Sequence, residues 1–245
     1  MEAAVEAVGV WKTIDGRPVL RGVNIRVPDG SVYVLAGPNG SGKTTTIRVL
    51  LGLVRRDSGK VKVLGVDPES GDWPSVRPLI GYMPEDAQPY ERLTGLEHIV
   101  FYARAYGITD SPRELSRRAS EISGLTVDKL NSRVSSYSKG MKRRLLLAAT
   151  LIHNPKIAVL DEPTSGLDVI SAYNVKRLIK NMKAGGSTFI ITTHDLKEAE
   201  EIADLVAFIS EGIIVAEGSP RELMEAYGAE SLEEAYVRAV GGGGF

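Results

Sequence analysis

Residues 37–45 read Gly-Pro-Asn-Gly-Ser-Gly-Lys-Thr-Thr, and no other stretch restricts the fold of this 245-residue chain so tightly. The segment follows the unbroken apolar run Val32–Ala36, which predicts a buried strand, and leads into residues 46–51, which predict the start of a helix. Strand, glycine-rich loop and helix in that order make a cradle for phosphate. Gly37, Gly40 and Gly42 let the backbone curl so that successive N–H groups aim at anionic oxygens, and the helix N-terminus adds partial positive charge. In such a loop Asn39, Gly40, Ser41, Gly42, Lys43, Thr44 and Thr45 surround the ligand. Lys43 reaches the β- and γ-phosphates, and the Thr44 hydroxyl completes a Mg²⁺ shell. The implied ligand is a nucleoside triphosphate.

Composition narrows the class further. Hydrophobic residues make up 43% of the chain and charged residues 25%, as in ordinary globular proteins, and the length suffices for one large core with a smaller satellite. A formal net charge of −1 argues against neutralising phosphate backbones, so no nucleic-acid partner is expected. Cysteine is absent, which removes disulfides, thiolate metal sites and thiol nucleophiles, and fits an intracellular home. Residues 1–10 carry acidic groups and no long apolar core, unlike a secretory signal. The apolar run 145–152 is far too short to span a bilayer. Any membrane role is expected to come through a partner.

Periodicity orders the rest. Residues 5–11, 19–20 and 23–27 read as strands, with turns at Asp15-Gly16 and Pro28-Asp29-Gly30. Residues 60–66 alternate in polarity, with Gly65 as a stop, and Ile80–Met83 is a short strand ended by Pro84. Residues 96–106, 112–122 and 140–152 carry apolar positions at helical spacing. Residues 157–160, 188–192 and 205–209 are near-continuous apolar runs, as parallel strands buried on both faces require, with helices predicted at 172–182 and 196–203 between them. Ser210-Glu211-Gly212 marks a hairpin, Ser219-Pro220-Arg221-Glu222 a capped helix start, and residues 241–244, all glycine, a flexible tail. The sum is a mostly parallel α/β core with an antiparallel β patch in front and one helical insertion of roughly 60 residues.

The strand at 157–160 runs straight into Asp161, Glu162 and Pro163. A core strand delivers its last residues to the crevice at its carboxyl end, where ligands of α/β folds sit. There Asp161 is suited to hold Mg²⁺ through water and Glu162 to orient or deprotonate an attacking water.

Tyr137-Ser138-Lys139-Gly140-Met141 with a basic helix after it, the carboxylate pair, then Thr164-Ser165-Gly166-Leu167-Asp168 and Thr193-His194-Asp195 form an ordered set. In that order they resemble the motifs of ABC-transporter ATPase subunits, over residues 3–220, and residues 232–241 resemble the tail of the export branch. The resemblance implies a P-loop NTPase fold: a RecA-like, mostly parallel sheet core, an N-terminal antiparallel β subdomain and an inserted α-helical subdomain. It implies one domain at 1–228 with the helical part at about 88–153, then a C-terminal helix and Gly-rich tail at 229–245. Two such subunits close head to tail around ATP and Mg²⁺.

On that resemblance, Lys43, Glu162 and His194 are catalytic, and Thr44, Asp161 and Glu85 face the metal. Ser138, Lys139, Gly140 and Met141 form the signature that touches the partner's nucleotide, and Asp168 communicates across the dimer. Otherwise Lys139, Lys142, Arg143 and Arg144 read as a solvated basic helix face, and His98 and His153 as structural. Two positions depart from the family pattern. Glu85 stands where a glutamine is usual, with Gln88 nearby, and Ile14 stands where an aromatic residue usually stacks on adenine. The implied function is ATP hydrolysis driving export by a separate integral membrane permease, docked near residues 85–93 on the cytoplasmic face. The second ATPase subunit is the same chain or a paralogue. The alternative is a soluble switch ATPase of the same type acting on ribosomes or DNA.

Overall fold

The computed structural model describes residues 3–241. Strands β1 (Ala3–Ile14) and β2 (Arg17–Pro28) form a hairpin whose turn residues, Asp15 and Gly16, take φ of 49° and 74°. Two-residue hairpin loops of that hand match the twist of the strands they join. Next come β3 (Val32–Ala36), α1 (Lys43–Leu50), β4 (Ser58–Val63), the single-turn α2 (Trp73–Val76) and β5 (Ile80–Met83). A run of helices follows: α3 (Gly95–Ala105), α4 (Pro112–Ser123), the short α5 (Val127–Leu130) and α6 (Lys139–Leu151). The chain then alternates through β6 (Ile157–Asp161), α7 (Val169–Ala184), β7 (Thr188–Thr193), α8 (Leu196–Ile202) and β8 (Leu205–Ser210). It closes with β9 (Ile213–Gly218), α9 (Pro220–Tyr227) and α10 (Leu232–Gly241).

Two sheets result: an antiparallel one in the order β2-β1-β4 and a larger one in the order β5-β6-β7-β3-β8-β9, parallel except for β9. The larger sheet has a different core on each face, and β3 shows how. Tyr33 and Leu35 join the apolar layer shared with the antiparallel sheet, while Val32, Val34 and Ala36 join the layer under α6 to α10. Alternate side chains of a strand point to opposite faces, so a strand buried on both must be apolar at every position. A third apolar cluster, including Ile99, Leu115, Leu130 and Leu145, lies among α3, α4, α5 and α6.

The structure differs from the pattern reading in particular places. Residues 19–20 and 23–27 belong to one strand, β2, because pairing with β1 carries the ladder across the half-buried residues between them. β4 stops at Val63, where Leu64 and Gly65 both turn with positive φ (49° and 81°). α7 begins three residues earlier than 172 because Asp168 caps it, accepting from Ser171 N. The one-turn helices α2 and α5 are too short to leave a periodic signal. Among the described residues, no helix is long and apolar enough to cross a membrane. The tail read at 241–244 falls, beyond Gly241, outside the described residues.

His98 packs against Tyr90 and Tyr102, and His153 stacks on Tyr106 at 3.6 Å. Burial pulls each imidazole down to about 4, so both are neutral packing groups at pH 7.

Gly81 of β5 lies so close to α6 that a Cβ there would stand 2.5 Å from the Thr150 carbonyl oxygen. Replacing Gly81 by Ala is expected to lower stability by about 1–3 kcal/mol through overpacking. Denaturant unfolding checks it, and an unchanged midpoint would contradict the close packing of β5 on α6.

Candidate active site

Three neighbouring parallel strands place the chemistry. β6 pairs with β7 and β7 with β3, in a register that sets Asp161 beside Thr192 and Ala36 beside Thr193. Parallel strands end on the same side, so the loop after β3, the carboxylates ending β6 and the histidine after β7 share one edge. Gly37 N donates to the Thr193 carbonyl (3.2 Å), so the loop starts fastened to β7. A Cβ on Gly37 would stand 2.2 Å from the Ile209 carbonyl oxygen, and Gly42 enters α1 with φ of 110°; both positions exclude a side chain. The resulting pocket, about 330 Å³, is lined by Val19, Asn39, Gly40, Gly42, Lys43, Thr44, Thr45, Glu85 and Glu162.

Lys43 Nζ donates to the carbonyls of Gly37 (2.7 Å) and Pro38 (3.2 Å) and lies 3.6 Å from Glu162 Oε1. Glu162 Oε2 is 2.8 Å from His194 Nδ1. The Thr192 hydroxyl donates to Asp161 Oδ1. The remaining atoms of this set are buried without hydrogen-bond partners: Asp161 Oδ2, Glu162 Oε1 and Ser41 Oγ. Buried polar atoms are rarely left so; here Ser41 belongs to the phosphate loop and Glu162 Oε1 faces its Lys43. Glu162 also holds φ at 50°, in the left-handed region that a non-glycine residue enters at a cost of order 1–3 kcal/mol.

The same donors fit a hydrated divalent cation. Asp161 offers a carboxylate oxygen without a hydrogen-bond partner at the end of β6, and Thr44 lines the pocket of the loop. No group of three His, Cys, Asp or Glu that could hold a metal occurs among the described residues. An ion here would therefore draw on few protein ligands, on water and on the nucleotide's own oxygens, which is the habit of Mg²⁺.

A model of the family described as ABC transporter matches residues 20–165. The chain belongs to the ABC transporter family. It is similar to the fluoroquinolones export ATP-binding protein of Mycobacterium tuberculosis, at 41% identity over 92% of this chain and 73% of that one. A solved ATP-binding subunit of an ABC transporter aligns at 30% identity with a TM-score of 0.85, covering 97% of this chain and 99% of its own. The dimeric structure of a bacterial ABC transporter cassette aligns at 25% identity with a TM-score of 0.79, covering 88% and 98%. This chain is thus an ATP-binding, ATP-hydrolysing cassette with the P-loop α/β fold.

The cassette brings Lys43, Thr44, Thr45, Asn39, Gly40, Gly42, Glu85 and Glu162 into one lining, with Ser41 buried behind it and His194 joined through Glu162. Ser138, Gly140 and Met141 do not line this pocket. Ser138 is exposed and caps α6, accepting from Met141 N, while Lys139 lines the adjoining cleft with Glu85 and Gln88. Asp168 is exposed, and its bonds from the Ser171 hydroxyl and N–H hold it below the usual carboxylate range. Ile14 sits at the hairpin tip outside the lining, and the apolar side chain at the loop is Val19. The basic face read at 139–144 needs correction: Arg143 is buried, and Arg144 donates to the Ser123 carbonyl (3.2 Å).

Glu198, on α8, escaped the pattern reading. It is 5% exposed, and its Oε2 accepts the hydroxyls of Thr164 (2.8 Å) and Thr193 (3.0 Å), joining the segment after Glu162 to the one before His194. The spacing Asp195-x-x-Glu198 reads as a capping box, in which the glutamate would reach back to the Asp195 N–H. Thr193 Oγ1 takes that N–H instead (3.0 Å), leaving the carboxyl free to turn inward.

Burial raises the Glu198 carboxyl above the ordinary value of 4.5, against the opposing pull of its two threonine bonds. An acid raised in the native state stabilises the fold below its unfolded value, and that contribution fades as pH climbs through the native value. Glu198→Gln keeps an oxygen for both hydroxyls and does not titrate. Its melting temperature, relative to the unmodified protein, is expected to rise as pH goes from about 4 to about 8. A constant difference would contradict the assignment.

Proposed function

We propose that this cassette powers export of a small molecule by a separate integral membrane permease, on whose cytoplasmic side two cassettes close head to tail. The observation that carries this reading is that the pocket is chemically incomplete within one chain. Lys43, Thr44 and Glu162 line it, whereas the signature residues Ser138 and Gly140 stand outside it, at the exposed start of α6. A second copy, turned end to end, supplies a serine hydroxyl and a helix N-terminus to the open side of the γ-phosphate. Asp168, exposed beside Gly140, then faces the same seam. The similarity to an export ATP-binding protein and to a dimeric cassette supports both halves of the proposal, and favours transport over a ribosome- or DNA-directed switch.

The residues have separable tasks. Lys43 exchanges its loop carbonyls for the β- and γ-phosphates. Glu162 accepts the proton of the attacking water as the new O–P bond forms and the bond to the leaving ADP breaks, and His194, bonded to Glu162, steadies that carboxylate and reaches the γ-phosphate. Thr44, Asp161 and Glu85 would hold Mg²⁺, which when bound neutralises charge building on the phosphate oxygens. Val19, with Ile14 farther out, offers the base apolar contact without an aromatic face. Loss of the γ-phosphate removes contacts that exist only in the closed pair, so the copies separate. We assign residues 88–153 to the helical part that carries this motion and residues 229–245 to an appended segment.

Tyr90 and Phe101 meet edge to face at 5.5 Å and are 50% and 52% exposed, beside Arg92 and Leu93. This aromatic surface is where the permease is proposed to dock. Changing Tyr90 and Phe101 together to Ala is expected to abolish co-purification with the permease while soluble ATPase activity stays within about twofold. Retained binding would move the docking surface elsewhere. Glu162→Gln is expected to cut turnover by about 10²–10⁴-fold and to yield dimers on size-exclusion chromatography only when ATP is present. Full-rate phosphate release would remove Glu162 from its role.

A further inference from the structure

The ladder between β5 and β6 ends at Met83 and Leu160, after which the two chains part. Beyond those residues neither segment pairs with the other, and buried carbonyls need donors. The guanidinium of Arg143 supplies them. Nη2 donates to the carbonyls of Asp161 (2.7 Å) and Glu162 (2.6 Å), Nε to Pro163 (3.2 Å), and Nη1 to Glu85 (3.1 Å) and Pro84 (3.4 Å). None of these five acceptors is a carboxylate. The side chain is 9% exposed; burial lowers its pKa, and the nearby charges of Asp161, Glu85 and Glu162 oppose that shift. A planar fork of five donors suits this spread of acceptors, and a lysine's three donors at one point do not.

The backbone it grips is the unusual one. Glu162 holds φ at 50°, and its N–H is taken from the other side by Thr192 O and Oγ1, both at 3.1 Å. A strained residue persists only where its surroundings over-determine it, and here β7 fixes one side of the peptide and Arg143 the other. Arg143 lies on α6, whose cap is Ser138.

We propose that Arg143 is a positioning residue for hydrolysis: it aims the Glu162 carboxylate by fixing its backbone, and ties that backbone to the Glu85 loop and the signature helix. The inference rests on the reading of Glu162 as the group that activates water. Arg143 does not line the pocket of Lys43 and Thr44, so nucleotide affinity is expected to be independent of it.

The test is steady-state and long-incubation phosphate release with ATP, on Arg143→Lys in the unmodified protein and on the E162Q background. The expected result is a kcat loss of at least tenfold with KM within twofold in the former, and a loss below twofold on E162Q, whose aimed group is already gone. Equal losses on both backgrounds, a loss confined to KM, or an unchanged kcat would each overturn the proposal while leaving the Glu162 reading intact. E162Q at full rate would instead fail that reading, and the proposal with it. Arg143→Gln repeats the measurement if the lysine variant lacks a cooperative melt. Failure of both variants to fold would assign Arg143 to the fold and overturn its positioning role.

Discussion

The parallel ladder from β6 through β7 to β3 is the constraint on which the rest depends. Its register sets Asp161 beside Thr192 and, one rung on, Ala36 beside Thr193, and everything chemical is attached to the carboxyl end of that row of strands. Each strand is buried on both faces, which leaves little freedom to slide: a shift of one residue would exchange the sets Tyr33/Leu35 and Val32/Val34/Ala36 between two differently shaped cores. The antiparallel sheet contributes by covering one face, and the helices by covering the other. The phosphate loop therefore inherits its position from packing far behind it.

At the row's end the fold accepts local cost. Glu162 is strained, and Asp161 Oδ2, Glu162 Oε1 and Ser41 Oγ are buried without hydrogen bonds. Lys43 occupies carbonyls that a phosphate would replace. Such a site is poised to gain when a triphosphate with its cation arrives, because the ligand satisfies groups the protein alone leaves wanting. Around it stand further supports: Thr192 beside Asp161, Thr164 and Thr193 joined through Glu198, and the carbonyls gathered by Arg143. These hold the strained segment from several sides.

Much of this was legible in the residues. The loop at 37–45, the apolar strands with one-sided helices between them, and the carboxylates at 161–162 follow from local spacing, which three-dimensional context does not alter. What escaped depends on context. Arg143 and Glu198 score as polar and so read as solvent-facing, yet each is buried because backbone carbonyls or threonine hydroxyls from distant segments meet it. Val19 carries no motif signal, and it lines the loop pocket because β2 brings it there, with Ile14 paired to Arg17 at the hairpin tip. The early start of α7 turned on one cap, Asp168, rather than on periodicity.

The central claim is that each pocket is completed by a second copy. The most direct measurement mixes two variants, Lys43→Ala and Ser138→Arg, each expected to be inactive alone. In a head-to-tail pair one pocket collects both defects and the other collects neither. The mixture is therefore expected to regain about a quarter of the unmodified phosphate-release rate, since about half the pairs are mixed and each has one sound pocket of two. A mixture as inactive as its components, with mixed pairs shown to form, would contradict the account.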